Sequence, residues 1–308
     1  MPSAALARTR SRREEALPAG LVARPIVKWA GGKSRLLGEL VDRVPRRVKT
    51  YAEPFAGGAA LFFALSSERA RGTRSFERAI LADQNEELVA CYRAVRDDVG
   101  GVLDALEDYR YDRERFYEVR AQSTAKMSDV DRAARFIFLN RTCFNGLWRV
   151  NSEGRFNVPF GKYKKPLIRD VEGLQAASRA LAGVDIRVGD FADVTRELGR
   201  DDFVYLDPPY VPVSRTASFT AYAKDGFSPD DQTRLARELR ALKRRKAQAM
   251  LSNADTPTTR ALYKSFSCHV IRAPRSISCD GATRRDTGEL VVTTWGAAGI
   301  HEPLRTAG

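Results

Sequence analysis

The sequence predicts an α/β protein, a doubly wound and mainly parallel sheet interrupted in mid-chain by a mostly helical segment that carries a β-hairpin. Three observations point there. Two strand-turn-helix units follow one another early, "TYAEPFAGGAALFFAL" from Thr50 and "RAILADQNEELVACYRAVRDD" from Arg78, and consecutive units of this kind build parallel sheets. Strand-like and helical runs alternate again after residue 173. Between them, residues 89–173 change texture, first to long helical patterns and then to a mixture of aromatic, Asn, Gly and basic residues.

Taken in order, residues 1–23 are rich in Arg and small residues but lack the continuous apolar region of a secretory signal, and are expected to be a disordered basic leader. In "RPIVKWAGGKSRLL", Ile26 and Val27 are aliphatic as a buried strand is, and Gly32-Lys33-Ser34 copies the tail of a phosphate-binding loop. That loop also requires a glycine five residues before Gly32. The position holds Val27, so ATP is not the expected ligand. A short strand from Thr50 then leads through a turn at Gly57 and Gly58 into an apolar helix. A second strand, Ala79 to Ala82, ends at Asp83, and its helix places Leu88, Cys91, Tyr92 and Val95 on one face.

The middle segment has helical stretches at "RERFYEVRAQ" and "SDVDRAARFIFLNR". In "VNSEGRFNV" two β-prone runs flank a Ser-Glu-Gly turn, which predicts the hairpin. "VDIRVGDFADV" and "DDFVYLDPPYVP" supply two further strands, and a helix starts at Ser228 as N-cap with Pro229 in its first turn. "AQAMLSNAD" and "GELVVTTW" are the late strands, and residues 297–308 form a tail.

Composition narrows the function. Lys+Arg 52 against Asp+Glu 39 gives a net charge of +13, which favours a polyanionic partner, nucleic acid first. The longest apolar runs, such as "AALFFAL", are far shorter than the roughly 20 residues of a membrane span. Cys91, Cys143, Cys268 and Cys279 show no C-x-x-C pairing, and the histidines are His269 and His301. No zinc or other metal site is expected, and the thiols fit a reduced, cytoplasmic protein. The chemistry must therefore run on carboxylates, aromatics and backbone.

Two stretches fit that chemistry. In "LDPPY", Leu206 to Tyr210, Asp207 stands at the carboxyl end of a strand, where open α/β sheets bind ligands. Pro208 and Pro209 offer carbonyls without N–H groups, and Tyr210 adds a stacking plane. An acceptor-only rim beside an aromatic face suits a planar group bearing an amino nitrogen. In the middle segment, Arg141, Arg149, Arg155, Lys162, Lys164 and Lys165 are candidates for phosphates and bases, with Phe144 and Trp148 for stacking. Arg149 is the candidate for a bidentate contact to guanine.

Together with "KWAGGKSRLL" at Lys28, "YAEPFAGGAALFFAL" at Tyr51, "LADQNEEL" at Leu81, "LNRTCFNGLWRVNSEGRFNVPFGKYKKP" at Leu139 and "SISCDGATRRDTGEL" at Ser276, Asp-Pro-Pro-Tyr resembles the Dam family of DNA adenine methyltransferases. The motifs match in order from about Ile26 to Trp295, the order called the α class. The resemblance implies a Rossmann-like methyltransferase sheet over 24–88 and 174–296, with a target-recognition domain over 89–173. It implies S-adenosylmethionine as cofactor and double-stranded DNA as partner, with no obligate protein partner. Trp29 and Lys33 are then cofactor residues, Lys33 for its carboxylate. Glu53, Phe55 and Gly57 in "EPFAGG" lie around its methionine moiety, Asp83 takes the ribose hydroxyls, and Asp190 and Phe191 in "GDF" meet its adenine. Asp207, Pro208 and Tyr210 carry out methyl transfer to a flipped-out adenine.

For DNA, the resemblance adds Lys28 as a residue that reaches the target, Asn145, Leu147, Pro159 and Tyr163 as contacts near the hairpin, and Phe144 as a wedge between base steps. "NGL" and "NVPFG" favour a GATC-type site, although Phe144 and Val150 stand where related sequences usually have Tyr. Two alternatives share part of the pattern. A cytosine-amino methyltransferase uses the same chemistry but prefers Ser in place of Asp207, and a non-catalytic DNA-binding module has no use for Asp207 with its prolines. A cytosine-carbon methyltransferase needs a Pro-Cys nucleophile, and the four cysteines follow Ala90, Thr142, Ser267 and Ser278.

Overall fold

The computed structural model describes residues 22–210, 227–271 and 288–296. The expected leader, apart from Val22 and Ala23, lies outside those residues, as do the tail and most of the motif that begins at Ser276. Seven strands form one sheet: β1 (Arg47–Glu53), β2 (Ser75–Asp83), β3 (Asp185–Val188), β4 (Phe203–Leu206), β5 (Gln248–Ala254), β6 (Ser267–Ile271) and β7 (Glu289–Thr293). Their order is β3-β2-β1-β4-β5-β7-β6. The first five are parallel, and β7 runs antiparallel between β5 and β6. This is the expected Rossmann-like α/β sheet, with β6 as an edge strand that sequence reading missed.

The order of the strands positions the site. β1 continues through α2 (Ala60–Ala70) to β2 on one side, and β4 lies on its other side. The crevice between β1 and β4 is therefore the point where the winding reverses, the usual ligand site of such sheets. Tyr51 pairs with Phe203 and Ala52 with Val204, so Glu53 and Asp207 emerge on one rim. Antiparallel β7 brings its first residue to that same rim, because Glu289 is opposite Ala254 at the end of β5.

Side chains alternate between two apolar layers, as strand geometry requires. Tyr51, Phe203 and Tyr205 pack on one face with α2, α3 (Glu86–Asp97) and the middle segment. Ala52, Val204 and Leu206 pack on the other with α8 (Phe191–Arg196) and α9 (Pro229–Arg244). α3 starts where Asn85 caps Leu88 N at 3.1 Å. As expected, Leu88, Cys91, Tyr92 and Val95 form its buried face. α9 begins with the expected Ser228 cap, closed into a box by Asp231.

The middle segment contains α4 (Val99–Ala105), α5 (Arg113–Ala121) and α6 (Asp129–Thr142), before α7 (Val171–Leu181) returns the chain to β3. α3 runs unbroken through residues 88 and 89. The expected hairpin is short: an isolated bridge joins Val150 and Phe156, Asn151 N donates to Arg155 O at 2.9 Å, and Gly154 takes φ +73° at the turn. Trp148, expected to stack on bases, instead packs between Phe136 and Phe156, at centroid distances of 3.9 and 4.5 Å. The ring is partly buried against the core.

Among the described residues, 22–30 form no strand. Ile26 and Val27 are buried, as their apolar character requires, but side chains from α6 replace a strand ladder. Asn140, fully buried, accepts from Lys28 N at 2.7 Å and donates to Lys28 O at 2.7 Å and Gly146 O at 3.1 Å. Arg141 donates twice to Ile26 O, at 3.1 and 2.7 Å. Periodicity cannot anticipate this, because the partners lie more than a hundred residues away. Asn140→Ala strips three backbone groups, one buried and two part-buried, of their partner and is expected to destabilise the protein by about 2–4 kcal/mol. Chemical denaturation checks this, and an unchanged midpoint would remove the clamp from the account.

Candidate active site and nucleic-acid interface

A cleft of about 810 Å³ opens at the carboxyl rim between β1 and β4. Its floor is the loop after β1, where Glu53 is held by two donors, Tyr51 Oη at 2.5 Å and Phe62 N at 2.7 Å, both to Oε1. Burial pushes the Glu53 carboxyl up to about 8, although both hydrogen bonds oppose the shift. It therefore holds its proton at neutral pH unless a cation enters the cleft. Gly57 has φ +46°, and a Cβ there would lie 2.7 Å from the Trp29 indole. Glycine is required on both counts. Gly57 N donates to Asp83 Oδ2 and Asn85 N to Asp83 Oδ1, each at 2.9 Å. Two backbone donors thus fix Asp83 at the end of β2, while burial raises its pKa.

On the facing side, β4 delivers Asp207, Pro208, Pro209 and Tyr210. Gln232 of α9 donates to Pro209 O at 2.9 Å and accepts from Asn253 of β5 at 3.1 Å. These buried amides hold the turn from below. Sequence reading missed both, since neither lies in a motif. Lys33, 7% exposed, pairs with Asp207 Oδ2 at 2.8 Å, donates to Gly31 O at 2.7 Å and lies 4.7 Å from the Tyr210 ring centroid. Lys33, expected to meet the cofactor carboxylate, lines the cleft and is ion-paired here with the acid of the Asp-Pro-Pro-Tyr turn. Burial raises Asp207 to about 6, and the Lys33 charge limits the rise.

Among the described residues, three buried polar atoms here make no hydrogen bond of normal geometry, Asp207 Oδ1, the Tyr210 hydroxyl and Glu289 Oε1, although the hydroxyl lies near enough to both carboxyls to influence the Asp207 pKa and to be influenced by Glu289. Buried polar groups are rarely left so, and their convergence marks a place for a ligand that carries donors. Glu289 belongs to the quoted "GEL" run, yet sequence reading did not single it out. At the other end of the cleft, Phe55, Phe191 and Phe227 form an aromatic cluster with centroids 5.3 to 5.9 Å apart. Asp190 does not line the cleft. It caps Ala192 N at 2.9 Å and forks Arg234 at 3.0 and 2.8 Å. Arg234 does line the cleft, with its guanidinium carbon 4.4 Å from the Phe191 ring centroid.

The expected DNA residues divide into exposed and engaged. Phe144, Leu147 and Val150 are large apolar side chains left in solvent, and Asn145, Arg149, Pro159, Lys164 and Lys165 are exposed around them. Arg149 Nε donates to Asn157 Oδ1 at 2.8 Å, which aims the guanidinium while both terminal nitrogens stay free of protein partners. Tyr163 donates to Cys143 O at 3.0 Å and lays its ring 3.8 Å from Lys28 Nζ. Gly146, at φ +64°, makes room for the Lys28 side chain, which a Cβ would meet at 2.4 Å. Arg141 is a correction. Its guanidinium is turned inward onto Ile26 O, where burial lowers its pKa, so it ties the Ile26 segment to α6.

Comparison with known proteins fits this geometry. The sequence profile described as "D12 class N6 adenine-specific DNA methyltransferase" matches residues 29–277. The chain is 40% identical over 281 residues to the Type II methyltransferase M.MjaIII of Methanocaldococcus jannaschii, covering 85% of this chain and 96% of that protein. It is 38% identical over 281 residues to the Type II methyltransferase M1.LlaDCHI of Lactococcus lactis subsp. cremoris, covering 89% and 96%. It is 35% identical over 272 residues to the DNA adenine methylase of Escherichia coli K12, covering 87% and 94%.

The family match assigns this doubly wound sheet, with a carboxylate turn at its switch point, to the Rossmann-like methyltransferase class. Within that class, the chain belongs to the D12 class N6 adenine-specific DNA methyltransferases. The base specificity of the family sets aside the cytosine-amino alternative, and its activity sets aside the non-catalytic module. The residues present suit the S-adenosylmethionine of such a family: a glycine cradle against Trp29, an aromatic cluster at one end, and buried carboxylates at the other for a cationic ligand.

The Asp207 carboxylate has a definite pH signature. An amine acceptor must be ionised, so turnover is expected to fall as pH drops through about 6. Because Lys33 lowers the Asp207 pKa, Lys33→Met should move the acid limb to higher pH. A profile of kcat against pH for both proteins checks this; an acid limb unmoved by Lys33→Met would disconnect the pair from catalysis.

Proposed function

We propose that this chain moves a methyl group from S-adenosylmethionine to the exocyclic nitrogen of an adenine flipped out of duplex DNA, within a GATC-type site. The observation that carries the reading is the convergence of Asp207 Oδ1 and the Tyr210 hydroxyl, both buried and neither in a hydrogen bond of normal geometry, at the mouth of the cleft. The exocyclic nitrogen of adenine has its lone pair delocalised into the ring and is a poor nucleophile. Asp207 and the Pro208 carbonyl accept its two N–H bonds, which favours a more tetrahedral nitrogen and fixes the line of attack. Tyr210 stacks on the base. A paired base cannot reach this depth, so flipping is required.

Bound S-adenosylmethionine supplies a methyl group activated by a sulfonium. Trp29, Gly57, Phe55 and Phe191 shape its place, Asp83 is suited to the ribose hydroxyls, and Glu53 faces its cationic end. Asp190 acts on that place through Arg234. No metal is assigned to the reaction. Residues 89–173 serve as the recognition part on a catalytic part made of 24–88 and 174–296. The division falls within α3, so one continuous helix roots recognition in catalysis. Arg149 reads a guanine edge, Phe144 wedges between base steps, Asn145, Leu147 and Pro159 line the same face, and Lys28 reaches the target from its seat on Tyr163.

Two experiments test this reading. Asp207→Ala is expected to abolish transfer of labelled methyl groups to DNA while calorimetry still detects cofactor binding; turnover close to that of the unaltered protein would refute the assignment. Arg149→Ala should lose about 1–3 kcal/mol of discrimination at one base pair and relax the methylated motif there. Replacing Lys164 and Lys165 together should weaken binding to every sequence alike and reduce the salt slope by about two. Methylation profiling of these variants across a salt series separates the roles, and an unchanged motif in Arg149→Ala would sink the base-reading one.

A further inference from the structure

Lys33 raises a difficulty for the proposed reaction. Its ammonium lies 2.8 Å from Asp207 Oδ2, so it draws on the carboxylate that must accept the base amine. The amine nitrogen becomes positive as it is methylated. A second cation on the same carboxylate opposes that charge, and burial leaves little water to screen the two. Lys33 is also 7% exposed, so it cannot withdraw into solvent, and a buried ammonium without a counter-charge is strongly unfavourable.

Glu289 answers this geometrically. Because β7 is antiparallel to β5, its first residue arrives at the rim where β4 ends. Its side chain is 14% exposed, and Oε1 is buried without a hydrogen bond of normal geometry, close to the Tyr210 hydroxyl and ion-paired with Lys33 Nζ at 4.0 Å. That is beyond a direct N–H···O bond of about 2.7–3.2 Å, yet within a small torsional movement of a flexible lysine. We propose that Glu289 is a positioning residue: Lys33 holds Asp207 through Oδ2 before the base arrives, then passes to Glu289 as the base amine binds Asp207 and gains positive charge. This rests on the methyl-transfer reading above. Glu289 touches neither base nor cofactor in this scheme, and acts through Lys33. Lys33 keeps its proton in this exchange; in the methyl transfer itself the S–CH3 bond breaks as the N–CH3 bond forms, S-adenosylhomocysteine leaves, and the methylated amine then loses one proton to solvent.

The test is a double-mutant cycle on the full-length protein. Glu289→Gln keeps the shape and hydrogen-bonding capacity but removes the charge. It is expected to slow single-turnover methyl transfer about tenfold or more, with dissociation constants for S-adenosylmethionine and for target duplex within about threefold. In a Lys33→Met background there is no cation to hand over, so the same substitution should change the rate by less than about twofold. A normal rate in Glu289→Gln, or an equal loss in both backgrounds, would overturn the proposal. So would a loss traced wholly to weaker cofactor binding.

A second readout covers a Lys33→Met variant too slow to time. With S-adenosylhomocysteine bound, the Lys33 Nζ resonance should shift when target duplex is added to the unaltered protein and stay in place in Glu289→Gln. No shift in the unaltered protein would also overturn the proposal. Failure of the unaltered protein to methylate DNA would instead remove the underlying reading, so the two failures are distinguishable.

Discussion

The ion pair between Lys33 and Asp207, at 2.8 Å, is the interaction on which the rest of the site depends. Burial alone pushes Asp207 toward its neutral form, and a neutral carboxyl is a poor acceptor for an amine. The Lys33 charge counters part of that push. Strand order makes the pairing possible. β1 and β4 end side by side at the switch point, and β7, reversed, contributes Glu289 to the same rim. Asp207 and Glu289 thereby flank one buried ammonium, while Glu53, its carboxyl pushed up to about 8, lines the same cleft. Such a site resists collapse onto itself and has capacity to receive further cations and hydrogen-bond donors.

Lys33 is held in turn by what surrounds the Gly-rich run that carries it. The segment from Ile26 to Lys28 has no strand partner, and its backbone is tied to α6 by Asn140 and Arg141. The same helix leads directly into the loop that bears Phe144 and Arg149. Asn140 also bonds Gly146 O at 3.1 Å. One buried amide therefore touches both the chain that leads to the cofactor cleft and the chain that leads to the DNA face. This gives a physical route by which target engagement and cofactor geometry share a support.

Much of this was legible in the sequence, for identifiable reasons. Parallel strands buried on both faces read as apolar runs ending in a polar residue, so Asp83 and Asp207 could be placed at strand ends before any coordinates. The turn at Gly57 and the Ser228 cap have strong local signatures. Asp-Pro-Pro-Tyr was visible because two prolines at a strand end serve few other purposes. What escaped were long-range polar contacts. Nothing local distinguishes Asn140 from a surface asparagine, Gln232 from other helical glutamines, or Arg141 from a basic DNA contact. Trp148 looked available for stacking because nothing in its immediate sequence shows that the chain folds Phe136 and Phe156 against its ring. Glu289 was overlooked because its position follows from the reversal of β7, and a five-residue apolar strand does not announce its direction.

The central claim is that this cleft methylates adenine in duplex DNA at one short sequence. Base-resolution sequencing of genomic DNA from a methylation-deficient bacterium expressing the full-length protein tests it most directly. The account predicts N6-methyladenine confined to a single motif of the GATC type. Modified cytosine, or adenine methylation with no sequence preference, would contradict it.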